Sequence, residues 1–282
     1  MNAKVLCALA AIVVSFNIHA QTTIDAAHRY AFGANLGWLD WVGDTNHGAV
    51  IGEYVCSGNI YSANVGWINL GSGTPANQIQ YQNNSATDYG VNQDGLGNLT
   101  GCAYGANIGW ITFEQTYGQP KVNLFTGQFS GSAWSANCGW ISLSNAVAYV
   151  QTDTVQQGAL APDGLPIAWL LLNFGTTNVD ANADADGDGA SNGDEYLAGT
   201  DPNNAASVLK ITSLQRTAPN TKLTWNAVNT RYYAIQTNSS LTTRAWGDFV
   251  TMNLAAWNSS LFMDTTSTNR FYRVRAYRPL AP

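Results

Sequence analysis

Four stretches of the chain spell one phrase: FGANLGWLDW at residues 32–41, YSANVGWINL at 61–70, YGANIGWITF at 104–113 and WSANCGWISL at 134–143. Each runs aromatic, Gly or Ser, Ala, Asn, any residue, Gly, Trp, then Ile or Leu. Self-similarity of this kind marks a unit that cannot bury its apolar face alone and must stack with its copies. Trp38, Trp67, Trp110 and Trp140 are separated by 29, 43 and 30 residues. The long middle interval holds GSGTPANQIQYQNNSATDYG (71–90), which reads as an inserted loop or hairpin. Upstream of copies three and four, VNQDGLGNLTG and VNLFTGQFSG share Val-Asn, a Gly turn, and Leu or Phe before a second Gly. The unit is therefore a turn, strand, turn, strand module.

Asn35, Asn64, Asn107 and Asn137, each followed two residues later by Gly, suit a tight turn that requires positive φ. After the turn the pattern alternates with period two. Ile68 and Leu70 share one face, as do Ile111 and Phe113, and Ile141 and Leu143; these are the expected core. Trp67, Trp110 and Trp140 share the other face with Asn69, Thr112 and Ser142. Two readings of the tryptophan row follow. The indoles of Trp38, Trp67, Trp110 and Trp140 form a ladder that binds sugar rings, or each packs over a neighbouring turn glycine and caps a small barrel or sandwich. The phrase resembles the AWSxNxGWI repeats of exported bacterial surface proteins over residues 28–150. That resemblance implies an extracytoplasmic location and brings no established activity.

A second pattern begins at Asp184. In DADGDGASNGDE, Asp184, Asp186, Asp188, Ala190 (through its carbonyl), Asn192 and Glu195 occupy positions one, three, five, seven, nine and twelve of an EF-hand-type loop, with Gly189 at six. Alternating oxygen donors wrap a hard cation, and the absence of thiol or imidazole disfavours zinc or copper, so the expected cofactor is Ca2+. Asp180 and Asn182 continue the alternation as possible additional ligands, although Ala185 replaces the glycine that a loop starting at Asp180 would need. TTNVDANA before the loop does not read as a helix; an exit helix is expected over 191–197, ended by Gly199 and Pro202. DADGDGASNGDEYLAGTDP closely resembles the bacterial thrombospondin type 3-like calcium repeat, over residues 180–207. The resemblance implies a short helix within DGLPIAWLLLNFG (163–175) and a structural, connector role for the ion.

From Leu209 onward five or more short alternating runs separated by Asn, Thr and Pro turns imply a small β-sandwich, with Trp225, Tyr233 and Trp246 as core. Arg270, Arg273 and Arg275 offer a basic edge whose odd and even members face different ways. The expected architecture is thus mainly β: a repeat-built β-domain of hairpins (barrel or sandwich) over 21–152, a short helical calcium-loop connector over 163–207, and a C-terminal β-sandwich over 208–282.

Only 11% of the residues are charged, while Trp and Tyr number 10 and 13, a balance that favours extracellular β-structure over a cytosolic helical enzyme. The net charge of −6 is divided: residues 21–206 carry sixteen acidic groups against Arg29 and Lys121, and residues 207–282 carry nine basic groups against Asp248 and Asp264. The opening MNAKVLCALAAIVVSFNIHAQTT has a cationic start and an apolar run too short to span a bilayer, and reads as a cleaved secretory leader over 1–20. The expected location is extracellular or at the cell surface, with no membrane span. Of Cys56, Cys102 and Cys138, the first and second flank equivalent repeat glycines and are the expected disulfide pair.

No nucleophile elbow, metalloprotease helix or phosphate-binding loop is present. A glycan-acting hydrolase would have to draw on Asp40, Asp44, Glu53 and Glu114, none marked as a pair. The sequence therefore points to a non-catalytic secreted or surface protein whose calcium-stabilised connector joins a Trp-rich β-repeat domain to a C-terminal β-module. A carbohydrate-binding or adhesion protein is the alternative, and a glycan hydrolase the second. Extracellular polysaccharide or another cell-surface component is the expected partner, and nucleic acid is not.

Overall fold

The structure is a computed structural model in which residues 22–43, 46–217, 220–242, 246–253, 259–265 and 270–282 are described. The expected leader and Asp44 lie outside the described residues.

The four phrases build four antiparallel hairpins: β1 (Ile24–Gly33) with β2 (Gly37–Asp40), β3 (Cys56–Ser62) with β4 (Gly66–Ser72), β5 (Leu99–Gly105) with β6 (Gly109–Phe113), and β7 (Ser132–Ser135) with β8 (Gly139–Ser142). Each hairpin pairs with the next, and β8 returns to pair with β1, so the eight strands close into a barrel. Within every hairpin the phrase pairs in register, Phe32 opposite Trp38, Tyr61 opposite Trp67, Tyr104 opposite Trp110, Trp134 opposite Trp140. Between hairpins the pairing slips by two residues at every seam: Tyr61 faces Asp40, Tyr104 faces Asn69, Trp134 faces Thr112 and Phe32 faces Ser142. Four equal slips give the sheet a shear of eight for eight strands, the combination that tilts strands by about 36° around a filled interior.

Closure puts every second residue inside. Leu39, Ile60, Ile68, Leu70, Ile111, Phe113, Ile141 and Leu143 are buried together, so the faces expected from the alternation are the faces observed. Full burial of such a side chain stabilises by about 1.5–3 kcal/mol. One end of the barrel carries the four phrase turns. Their glycines, Gly37, Gly66, Gly109 and Gly139, have φ between 73° and 80°, which a residue with a Cβ adopts only at a cost.

The asparagines do something different from what their spacing suggested, since none of the four has positive φ. Each reaches across a seam to the preceding copy and donates to the carbonyl of the residue after that copy's own asparagine. Asn64 Nδ2 donates to Leu36 O (2.9 Å), Asn107 to Val65 O (3.0 Å), Asn137 to Ile108 O (3.0 Å), and Asn35 closes the ring on Cys138 O (3.1 Å). Four amide clasps thus tie four hairpins head to tail. The 71–90 insert folds over the wall, with Tyr81 buried and its hydroxyl donating to Cys56 O (3.1 Å).

Residues 163–207 hold two short helices, α1 (Ile167–Phe174) and α2 (Asn192–Ala198), ended by Gly175 and Gly199 with φ of 68° and 73°. Trp169, Leu170 and Tyr196 form a satellite core with Leu165 and Ala161, against which Tyr54 of the barrel packs. The C-terminal module is a sandwich of two three-stranded antiparallel sheets. One orders β9 (Ile211–Thr217), β10 (Asn220–Asn226) and β13 (Ser259–Asp264); the other orders β12 (Gly247–Asn253), β11 (Tyr232–Asn238) and β14 (Phe271–Tyr277). Leu223, Trp225, Tyr233 and Ile235 fill its core. Trp246, expected there as well, is instead half-buried beneath the Arg273 guanidinium, 4.7 Å from its ring. No helix among the described residues is long and apolar enough to cross a membrane.

Candidate metal centre

The 180–200 segment is shaped around its carboxylates. Asp184 accepts from the amides of Gly187 (2.7 Å), Asp188 (3.2 Å) and Gly189 (2.8 Å), so its side chain wraps the loop around itself. The Gly189 amide leads these contacts in holding the Asp184 carboxyl below the ordinary aspartate range. Asp186 and Asp188 cap the amides of Asp188 (3.2 Å) and Ala190 (2.8 Å). Ser191 then accepts from Asp194 N (3.2 Å) and starts α2, whose first turn carries Glu195.

One ligand atom from each of Asp184, Asp186 and Asp188 falls within 4.8 Å of the others. Such a cluster of carboxylates is common on protein surfaces, but the buried atoms around it are not. Asp186 Oδ2, Asp188 Oδ2, Asn192 Oδ1 and Glu195 Oε2 are all buried without a hydrogen-bond partner. A buried, unpaired polar oxygen is costly, and three carboxylate oxygens and one amide oxygen of this kind in one loop fit a hard, oxygen-seeking cation. Glu195 is fully buried; Thr200 Oγ1 donates to its Oε1 at 3.2 Å. Burial, together with the charges of Asp186, Asp188 and Asp184, pushes the Glu195 carboxyl up to about 7. Calcium would be held by Asp184, Asp186, Asp188, Asn192 and Glu195, and would supply the positive charge that this loop lacks.

Of the other expected ligands, Ala190 sits in the loop just before the Ser191 cap. Asp180 and Asn182 are engaged otherwise: Asp180 Oδ1 accepts from the Asn182 amide (2.8 Å), and the Asp180 carbonyl accepts from Asn192 Nδ2 (2.9 Å). That last bond turns Asn192 so that its oxygen, not its nitrogen, is the unpaired atom. Asp180 thus shapes the site through Asn192, a role that carboxylate spacing does not signal.

The site is wired to both flanking domains through α2. Tyr196 donates its hydroxyl to Glu53 Oε2 of the barrel (2.8 Å), and Arg278 of the C-terminal segment donates to the same oxygen (3.0 Å). Arg231 of the sandwich donates from Nε to Leu197 O (2.8 Å) and from Nη2 to Tyr196 O (2.9 Å), satisfying carbonyls at the helix C-terminus. Leu280 packs against the barrel core, and its carbonyl accepts from Val155 N (2.7 Å).

The remaining candidate residues are dispersed. Because the sheet closes, Trp38, Trp67, Trp110 and Trp140 stand around the barrel, not in a ladder along one surface. Their exposures are 45, 47, 46 and 45%, so each is neither packed away nor free. Each indole meets the aromatic that opens its phrase, at centroid distances of 4.8–4.9 Å. Trp67 and Trp140 also lie over glycines of a neighbouring loop, Gly43 and Gly118, where a Cβ would come within 2.9 and 3.1 Å of the ring.

The expected Cys56–Cys102 bridge is not formed: both thiols are free, as is Cys138. Cys56 points into the core, where burial pushes its thiol up to about 12, whereas Cys102 stands opposite Thr112 on the outer face. The alternation of strand faces separates the pair. Of the carboxylates considered for hydrolysis, the three that lie among the described residues are occupied locally. Asp40 pairs with Arg29, Glu53 binds Tyr196 and Arg278, and Glu114 accepts the amides of Thr116, Tyr117 and Gly118. Arg273 and Arg275 share the exposed face of β14, whereas Arg270 turns to Asp264.

Comparison with known proteins agrees with the loop geometry. Residues 184–205 match the family described as the bacterial TSP3 repeat, a calcium-binding repeat. No curated protein and no solved structure matches the chain.

Proposed function

We propose that the protein is a non-catalytic, exported protein in which a calcium-loaded connector fixes the orientation of the closed repeat barrel relative to the C-terminal sandwich. One observation carries this reading. The helix that bears the closing ligand Glu195 also bears, at the next residue, the side chain that holds the barrel and the carbonyl that holds the sandwich. Loading the ion satisfies Glu195, fixes the first turn of α2, and so sets where Tyr196 stands. The ion-free loop concentrates negative charge and unpaired buried oxygens, which favours an open, frayed connector. An extracellular setting accords with such a site, because millimolar calcium outside the cell fills even weak oxygen sites.

Small-angle X-ray scattering of the chain with calcium and with chelator tests this. The expected result is a larger radius of gyration on chelation, restored by calcium and not by magnesium. Superimposable curves in the two states, with calcium binding shown by titration, would mean that the ion serves only its own loop.

A further inference from the structure

The seam between the third and fourth hairpins differs from the others. There Thr112, Glu114, Thr116, Tyr117, Trp134 and Trp140 line an open cleft of about 390 Å3, within the usual range for small-ligand sites. Its floor is the one Trp–Trp pair of the collar, with ring centroids 4.9 Å apart and planes at 60°. Its wall is Tyr117, which is 83% exposed. At the preceding seam Trp110 is met by Tyr89 from the insert at 5.1 Å; no aromatic contact of that kind covers the Trp134–Trp140 pair among the described residues.

The cleft is rigid. Glu114 folds its carboxylate inward onto three successive amides, Thr116 at 2.7 Å, Tyr117 at 3.0 Å and Gly118 at 2.6 Å, which locks the turn that presents Tyr117. Gly118, with no Cβ, lets Trp140 lie against that turn. Placing a bare phenol ring on a locked turn beside two half-exposed indoles contributes little to folding, but it gives a binding partner flat surfaces that lose little freedom on contact.

We propose that this cleft binds an uncharged polysaccharide, the pyranose rings stacking on Trp134, Trp140 and Tyr117 while sugar hydroxyls pair with Thr112 and Thr116. Charge selects this ligand over others that stack. Among the described residues no cationic side chain lines the cleft, its one carboxylate, Glu114, is held by the amides of the turn, and residues 21–206 carry sixteen acidic groups against two basic ones. The cleft therefore offers no countercharge to a nucleic acid, a uronic-acid polymer or an anionic lipid surface. A neutral sugar needs none, and its apolar face matches an indole ring.

Affinity electrophoresis and tryptophan fluorescence of the full chain against a β-1,4-glucan, a xylan, a mannan, alginate and anionic liposomes test the assignment. Saturable retardation by at least one neutral polymer is expected, weakened about tenfold by Tyr117→Ala, whose exposed ring can be removed without opening the core. Trp140→Phe, which keeps the cross-strand contact, is expected to weaken binding and to abolish the ligand-induced emission shift. Binding should persist in chelator, which separates this proposal from the calcium reading. No retardation by any neutral polymer, equal binding by the Tyr117→Ala and Trp140→Phe variants, or binding only to alginate or liposomes would overturn it.

Discussion

Glu195 is fully buried, has one carboxylate oxygen without a partner, and feels the charges of Asp184, Asp186 and Asp188. Burial first, and those charges next, raise its carboxyl from 4.5 to about 7. Below pH 4.5 it carries a proton in both the folded and the unfolded chain. Between 4.5 and 7 the unfolded chain has lost that proton while the ion-free fold retains it, so stability of the ion-free fold falls as pH rises across this window. Calcium needs the carboxylate and reverses the trend. Melting curves in chelator should therefore drop from pH 5 to pH 8, whereas the gain in Tm on adding calcium should grow over the same range. Glu195→Gln should flatten both dependences, and an unchanged slope in that variant would assign the effect elsewhere. The repeat asparagines allow a second test at this scale. Asn107→Ala removes one exposed clasp to Val65 O and should cost about 1 kcal/mol in denaturant unfolding, with the barrel still closed.

At the scale of elements, α2 is the piece whose loss would be felt furthest away. It has seven residues, too few to be stable alone, and depends on Ser191 at one end and Arg231 at the other. Ser191→Ala should cost about 1 kcal/mol. Arg231→Met should cost more, about 2–3 kcal/mol, because two helix carbonyls lose a charged donor, and hydrogen exchange should then be fastest in α2. Slow exchange there in the Met variant would show that packing of Trp169 on Tyr196, at 5.4 Å, holds the helix unaided.

The same scale shows what the sequence could and could not reveal. Period-two alternation placed Ile68, Ile111 and Ile141 inside, and the oxygen spacing placed Asp184, Asp186 and Asp188 together, because both depend only on neighbours along the chain. The asparagine clasps were misread as backbone-turn chemistry, since each bond spans 28 residues or more and no local pattern distinguishes a donor from a turn former. Barrel closure was equally hidden, being decided by the two-residue slip at each seam. The cysteine pairing failed on strand parity: Cys56 lies two residues before Gly58 and Cys102 one residue after the equivalent Gly101, an odd offset that alternation turns to opposite faces.

Across the whole molecule, Glu53 is the point at which three regions meet, accepting from Tyr196 of the connector and from Arg278 of the C-terminal segment. The Arg278–Glu53 pair is nearly buried, so removing one partner leaves the other's charge without compensation. Glu53→Ala should thus destabilise by about 3–5 kcal/mol, and limited proteolysis should then release a barrel fragment even with calcium present. If the three regions remain protease-resistant as one body, the Leu280 contact with the barrel core is the stronger join.

The clasp from Asn35 to Cys138 has a consequence in time. It joins the first copy to the last, 103 residues apart, as does the pairing of β1 with β8. A chain emerging from its N-terminus can make each hairpin as it appears, yet the first hairpin has an unpaired outer edge until the fourth arrives. Such long-range closure is slow, and a one-, two- or three-copy intermediate keeps unpaired strand edges until it is complete. The closed barrel can therefore form only once residues 24–142 all stand on the same side of any boundary the chain has to cross.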